Sequence, residues 1–139
     1  MLYLVKEEAP SLIRGGRYSA DGYSVEAGKT YVVIYTVNNF YPILGGEISI
    51  SVRYTVKSVG ASFTTLYDAG GQTISGAPPS GYQPKTKDVY CSSASDTAIF
   101  YRGSVTFELL NSGFMANYYL KVNIYGINNG MVDVWTEFS

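Results

Sequence analysis

The sequence predicts an all-β fold: a two-sheet antiparallel sandwich of about eight strands. Three observations predict it. Apolar and polar residues alternate along several runs, clusters of Gly, Pro, Asn and Ser separate those runs, and no window carries a convincing 3.6-residue apolar period, so any helix is short. At 139 residues the chain fits one domain, spanning 1–139, with one core.

The elements follow in chain order. Leu2 to Val5 reads as an additional edge strand and Arg17 to Ser24 as another. Residues 1–16 either fold onto the domain or reach a neighbour as an arm. Thr30 to Val37 is a strong strand whose two faces, Tyr31, Val33, Tyr35 and Val37 against Val32 and Ile34, are both apolar or aromatic. Such a strand is central in its sheet or has an outer face that meets a partner. Asn38-Asn39, Pro42 and Gly45-Gly46 mark a loop, yet Phe40, Tyr41, Ile43 and Leu44 inside it are not ordinary loop residues. They either tuck under the sandwich or form an exposed apolar tip.

Glu47 to Lys57 gives the clearest signal. Ile48, Ile50, Val52, Tyr54 and Val56 point one way, and Glu47, Ser49, Ser51, Arg53, Thr55 and Lys57 the other, as in a half-buried strand. Ser62 to Tyr67 is a weaker strand. Gly70-Gly71, Gly76, Pro78-Pro79, Gly81 and Pro84 make residues 68–88 read as a long Gly/Pro-rich loop. Thr97 to Leu110 holds one long or bent strand, with Gly103 as a candidate break. Asn117 to Tyr125 alternates again, and the turn Asn128-Asn129-Gly130 leads into Met131 to Phe138. An Asn-Gly pair between two alternating runs predicts an antiparallel hairpin. Strand number alone leaves an immunoglobulin-like and a jelly-roll order equally open.

Composition narrows the chemistry. Hydrophobic residues make up 46 % and charged residues 15 %, against roughly 25 % charge in ordinary soluble domains. With 14 tyrosines, the surface is wetted by neutral hydrogen-bonding groups, which suits contact between proteins. The ten Lys and Arg residues are scattered and the net charge is −1, so no basic stripe is set to neutralise nucleic-acid phosphates. The absence of histidine removes the commonest general base, metal ligand and pH switch together. Cys91 is the one cysteine, with no cation beside it in sequence to activate the thiol.

Catalysis and metal binding therefore start without their usual residues. No strand-turn-helix setting frames a serine as nucleophile. The acids Glu47, Asp68, Asp88, Asp96, Glu108, Asp133 and Glu137 fall mostly on outward positions. Asp68 with Asp88 or Asp96 is the weak calcium candidate, without the spacing of a calcium loop. The chain reads as a non-enzyme with no cofactor. Its first residues lack the basic start and apolar stretch of a signal peptide, and no apolar run approaches the ~20 residues of a membrane-spanning helix.

Recognition surfaces remain. Tyr82, Tyr90, Tyr101, Tyr119, Tyr125 and Trp135 are the candidate aromatic platforms for a saccharide, against cross-strand packing and subunit contact as the plainer alternative. Trp135 shares a face with Met131, Asp133 and Glu137, opposite Val132, Val134 and Phe138, which makes it the best outward anchor. The candidate interface is Phe40, Tyr41, Ile43, Leu44, Tyr82, Tyr119, Tyr125 and Trp135.

The run Val25-Glu26-Ala27-Gly28-Lys29-Thr30-Tyr31, continuing through Val32 to Val37 into Asn38-Asn39, resembles the start of immunoglobulin-like domains of the CARDB or cell-adhesion type. There an Ala-Gly-Lys turn leads into a strand, and Glu47 to Lys57 is similar to the alternating strand that follows. The resemblance implies a surface or adhesion module without catalytic residues. In general character, rich in tyrosine, low in charge and free of histidine, the chain is similar to small virion proteins, including those of viruses of thermophilic archaea. Two functions are expected. One is a structural subunit of a virion or similar surface assembly, such as a capsid, turret or spike component, associating with itself or with other structural proteins. The other is an extracellular adhesion or carbohydrate-binding module of a larger surface protein.

Overall fold

Period-two burial becomes two stacked sheets. A computed structural model describes residues 2–10, 17–38 and 45–139. Among them ten strands form: β1 (Leu2–Pro10), β2 (Arg17–Ser24), β3 (Thr30–Asn38), β4 (Glu47–Val59), β5 (Thr64–Asp68), β6 (Thr73–Ala77), β7 (Tyr82–Ala94), β8 (Ala98–Leu109), β9 (Met115–Ile127) and β10 (Met131–Phe138). The first sheet runs β1-β3-β4-β5, with β6 also paired to β4, and the second runs β2-β10-β9-β8-β7. β1 lies parallel to β3, and every other pairing is antiparallel. The molecule is a two-sheet β-sandwich.

The second sheet is one meander, β7 to β10, with β2 added beside β10; in the first, β3 and β4 form a hairpin, β5 and β6 both pair with the other side of β4, and β1 is added beside β3. An immunoglobulin sheet instead joins strands far apart in the chain, and a jelly roll is built from two Greek keys. β1 thus extends beyond Val5 and pairs within the sheet. Phe40, Tyr41, Ile43 and Leu44 lie outside the described residues.

Burial follows the alternation. In β4, Ile48, Ile50, Val52, Tyr54 and Val56 are fully buried, and in β10 Val132, Val134 and Phe138 are buried while Met131, Asp133, Trp135 and Glu137 face outward. β3 sits between β1 and β4, and its outward Val32 and Thr36 are buried as well. Aromatic rings meet across neighbouring strands inside the core. Tyr31 stacks on Tyr54 at 5.5 Å between centroids, and Tyr118 on Phe138 at 5.6 Å, with Phe107 tilted against Tyr118 at 6.1 Å.

Two expectations need correction. The stretch 68–88 is not one loop. Gly70 and Gly71 turn the chain with φ of 75° and 71°, β6 forms on β4, and β7 begins at Tyr82. Pro84 lies inside β7 because an edge strand has no ladder partner for an N–H on its far side, and a bulge at Pro84/Thr86 absorbs the misfit. Gly103 does not break β8. It faces the core, and an added Cβ would stand 2.7 Å from Ile74 Cδ1 and 3.2 Å from Ile50 Cδ1, so its missing side chain makes room for two isoleucines. β6 and β7 thus emerge from the stretch read as a loop.

The hairpin between β9 and β10 forms as the sequence predicts, with Asn129 and Gly130 both at positive φ. At the same end β5 crosses β9 at Gly126. A Cβ there would meet the Thr64 carbonyl oxygen at 1.8 Å, while Thr64 Oγ1 donates to the Ile127 carbonyl at 2.7 Å. Only glycine permits that approach.

Candidate binding surfaces

The two outer faces are chemically unlike. On the first sheet, cross-strand hydroxyls bond one another: Thr30 to Thr55 at 2.7 Å, Thr36 to Ser49 at 3.0 Å and Ser58 to Thr65 at 2.5 Å. Their hydrogen-bonding capacity is spent largely within the sheet. The second sheet presents aromatic and charged side chains instead. Register aligns Tyr90, Arg102, Lys121 and Glu137 across β7, β8, β9 and β10, and beside them Phe100, Asn123 and Trp135.

Arg102 is held in place. Its Nη1 donates to the Tyr101 carbonyl at 2.8 Å and to Asn123 Oδ1 at 2.9 Å, and its Cζ lies 5.7 Å from the Phe100 ring centroid. Asn123 is buried and its Nδ2 donates to Tyr125 Oη at 3.2 Å, while Tyr125 meets Phe100 edge-on at 5.6 Å. Among the described residues no carboxylate pairs with Arg102. Lys121 approaches Glu137 at 3.7 Å. Between Tyr90 and Tyr119, which are 51 % and 50 % exposed, runs a groove of about 520 Å³ lined by Asp88, Arg102, Ser104 and Lys121.

The aromatic candidates separate accordingly. Tyr119 is an exposed platform and Tyr125 a half-buried one within the aromatic cluster. Trp135 faces outward next to Asn123 but is half covered. Tyr82 packs against the core, so it offers less free ring than its place in the sequence suggests. Tyr101 is not a platform at all. Completely buried, it crosses from β8 to the other sheet, with Oη 2.9 Å from the Arg53 carbonyl and 2.7 Å from Asp68 Oδ1. Burial pushes its phenol far above the ordinary value, and Asp68 adds to the shift by holding the proton and repelling a phenolate.

Asp68 thereby serves the fold, also accepting from the Gly70 N–H at 2.9 Å. Among the described residues no three metal-ligating side chains gather into a possible metal site. Burial, with Asp68 nearby, pushes the Cys91 thiol up, which favours the unreactive protonated form. No helix among the described residues is long and apolar enough to cross a membrane.

A second surface occupies the end of the sandwich where β8 turns into β9. Leu109 N–H donates to the Phe114 carbonyl, Leu110 N–H to the Gly81 carbonyl and Phe114 N–H to Ser112 Oγ. This tied turn displays Leu110, Phe114 and Met115, each nearly half exposed. Gly45 lies near Pro79 of the β6–β7 turn at the same end. Sequence reasoning missed Phe114 and Met115, although a glycine turn flanked by large apolar residues is the signal that could have found them.

No protein-family model matches the chain, and searches of curated proteins and of solved structures return no match.

Proposed function

We propose that this chain is a non-enzymatic structural subunit of a virion or similar surface assembly, acting through protein–protein contacts at its β8–β9 end. The observation that carries the reading is the tied turn with Leu110, Phe114 and Met115 exposed together. Hydrogen bonds fix its backbone, so the three side chains stay in water until another surface covers them, and contiguous exposed apolar area of this kind marks contact sites. Low charge and abundant tyrosine favour the same use.

Edge-to-edge strand addition is the less favoured mode. β7 carries Pro84, Lys85 and Lys87 and two bulges, which blunt it as a template. Light scattering after size exclusion tests the proposal. The native chain should self-associate in a way that survives high salt, and Leu110→Ser with Phe114→Ser should shift it to monomer while changing stability by less than about 1 kcal/mol. A native chain that stays monomeric at high concentration, or a double variant that associates as before, would refute it.

A further inference from the structure

We propose that the groove across β7, β8 and β9 binds a carboxylate-bearing oligosaccharide, with Arg102 receiving the carboxylate and Tyr90 and Tyr119 supporting sugar rings. This site is separate from the apolar end and does not depend on the assembly reading.

The geometry points to this class for three reasons. First, Arg102 is pre-oriented. Its Nη1 is engaged by the Tyr101 carbonyl and by Asn123, while Nε and Nη2 make no hydrogen bond among the described residues. Arg102 lines the groove, and a planar guanidinium held through Nη1 suits a carboxylate, which can accept two of its N–H groups. Asn123 is buried and in turn bonded to Tyr125, so the side chain that positions Arg102 is itself constrained. No carboxylate among the described residues forms an ion pair with Arg102, whereas Lys121 has Glu137 at 3.7 Å.

Second, the aromatic rings stand apart. Tyr90 and Tyr119 sit on β7 and β9 with β8 between them, a lateral spacing of roughly 10 Å from two strand separations. Both rings are half exposed. An oligosaccharide offers repeated apolar C–H faces that can cover separate rings, whereas a single small anion would leave both bare. Third, the remaining lining is polar and of mixed sign. Asp88 can accept from sugar hydroxyls, Ser104 can accept from or donate to them, and Lys121 adds positive potential beside Arg102. At about 520 Å³ the groove is in the range of ligand sites, and it is open along a sheet face as a chain-like ligand requires.

The full chain tests this by titration with oligogalacturonates and a sialylated oligosaccharide, beside neutral malto-oligosaccharides and acetate. The sole tryptophan, Trp135, lies next to Asn123 in register and reports by fluorescence, with calorimetry as the second readout. At least one acidic oligosaccharide should bind, and its affinity should fall as salt rises. Neutral oligosaccharides and acetate should bind at least about tenfold more weakly, and Tyr119→Ala and Arg102→Gln should each lower affinity about tenfold or more. Asn123→Ala should act through Arg102 and weaken the acidic ligand more than the neutral one. Circular dichroism and unfolding curves confirm that Tyr119→Ala, an exposed change, leaves the fold intact. The proposal fails if no acidic oligosaccharide binds at millimolar concentration, if acetate binds as well, or if Tyr119→Ala and Arg102→Gln leave affinity unchanged.

Discussion

β4 and β7 are both thirteen residues long, yet one buries its inward face from Ile48 to Val56 and the other is almost wholly exposed. β4 has β3 on one side and β5 and β6 on the other, while β7 pairs only with β8. Where a strand is covered on one face and paired on both sides, its inward positions must all be apolar, and alternation results. A strand at an edge is released from that demand. Pro84, Lys85, Lys87 and bulges at Pro84/Thr86 and Cys91/Ser93 blunt the edge of β7 that faces away from β8. β6 comes alongside it, the two lining a slot through Ser75, Gly76, Lys85 and Thr86, without joining the sheets by hydrogen bonds. β4 therefore holds the fold, and β7 is free to contribute Asp88 and Tyr90 to a surface.

The contrast can be broken most severely at the exit of β4. Its return into β5 rests on Gly126, so Gly126→Ala should cost more than about 3 kcal/mol in urea unfolding, since the new Cβ would overlap the Thr64 carbonyl and backbone must move. A cost within about 1 kcal/mol, roughly the error of such curves, would mean that the crossing is not close.

Equivalent truncations sharpen the comparison directly. Ile50→Ala in β4 removes a fully buried side chain against Gly103 and should cost about 2–5 kcal/mol. Val89→Ala in β7, at a half-buried position, should cost less than about 1.5 kcal/mol. Equal costs would erase the distinction between the two strands.

A smaller effect than that of Ile50→Ala concerns the tie that β8 makes to β4. Tyr101→Phe should cost about 1–2 kcal/mol at neutral pH, because Asp68 and the Arg53 carbonyl lose a shared donor. The pH dependence has a definite sign. Tyr101 and Tyr35 both have phenols raised above the ordinary 10.0, the latter first of all by burial. The folded state then keeps protons that the unfolded state gives up, so their contribution is complete below pH 10 and is lost as pH rises beyond it. Unfolding curves taken from pH 8 to 11.5, a range set around that roughly 10 midpoint, should show stability falling at the alkaline end, and less steeply in Tyr101→Phe. A native protein whose stability is level across that range would contradict the assigned burial.

Much of this architecture is legible in the chain. The alternation in Glu47 to Lys57 and Asn117 to Tyr125, and the Asn129-Gly130 turn, identify β4, β9 and the last hairpin because each rests on local period or local turn chemistry. The outward face of Trp135 follows from the same period. The binding surfaces were legible only in part. Tyr90 and Tyr101 look alike in sequence, but one lies on the outer face of an edge strand and the other inside the sandwich.

By itself the sequence determined that the chain folds as stacked β-sheets with a greasy interior and a surface poor in charge, since periodicity and composition are properties of neighbouring residues. Tertiary structure alone decided that β6 and β7 arise from a Gly/Pro-rich stretch, that Gly103 and Gly126 are spaces for other segments, and that Tyr90, Arg102 and Tyr119 share one groove. Each of those depends on contacts between residues distant along the chain, whose meeting is fixed by which strands lie side by side and in what register.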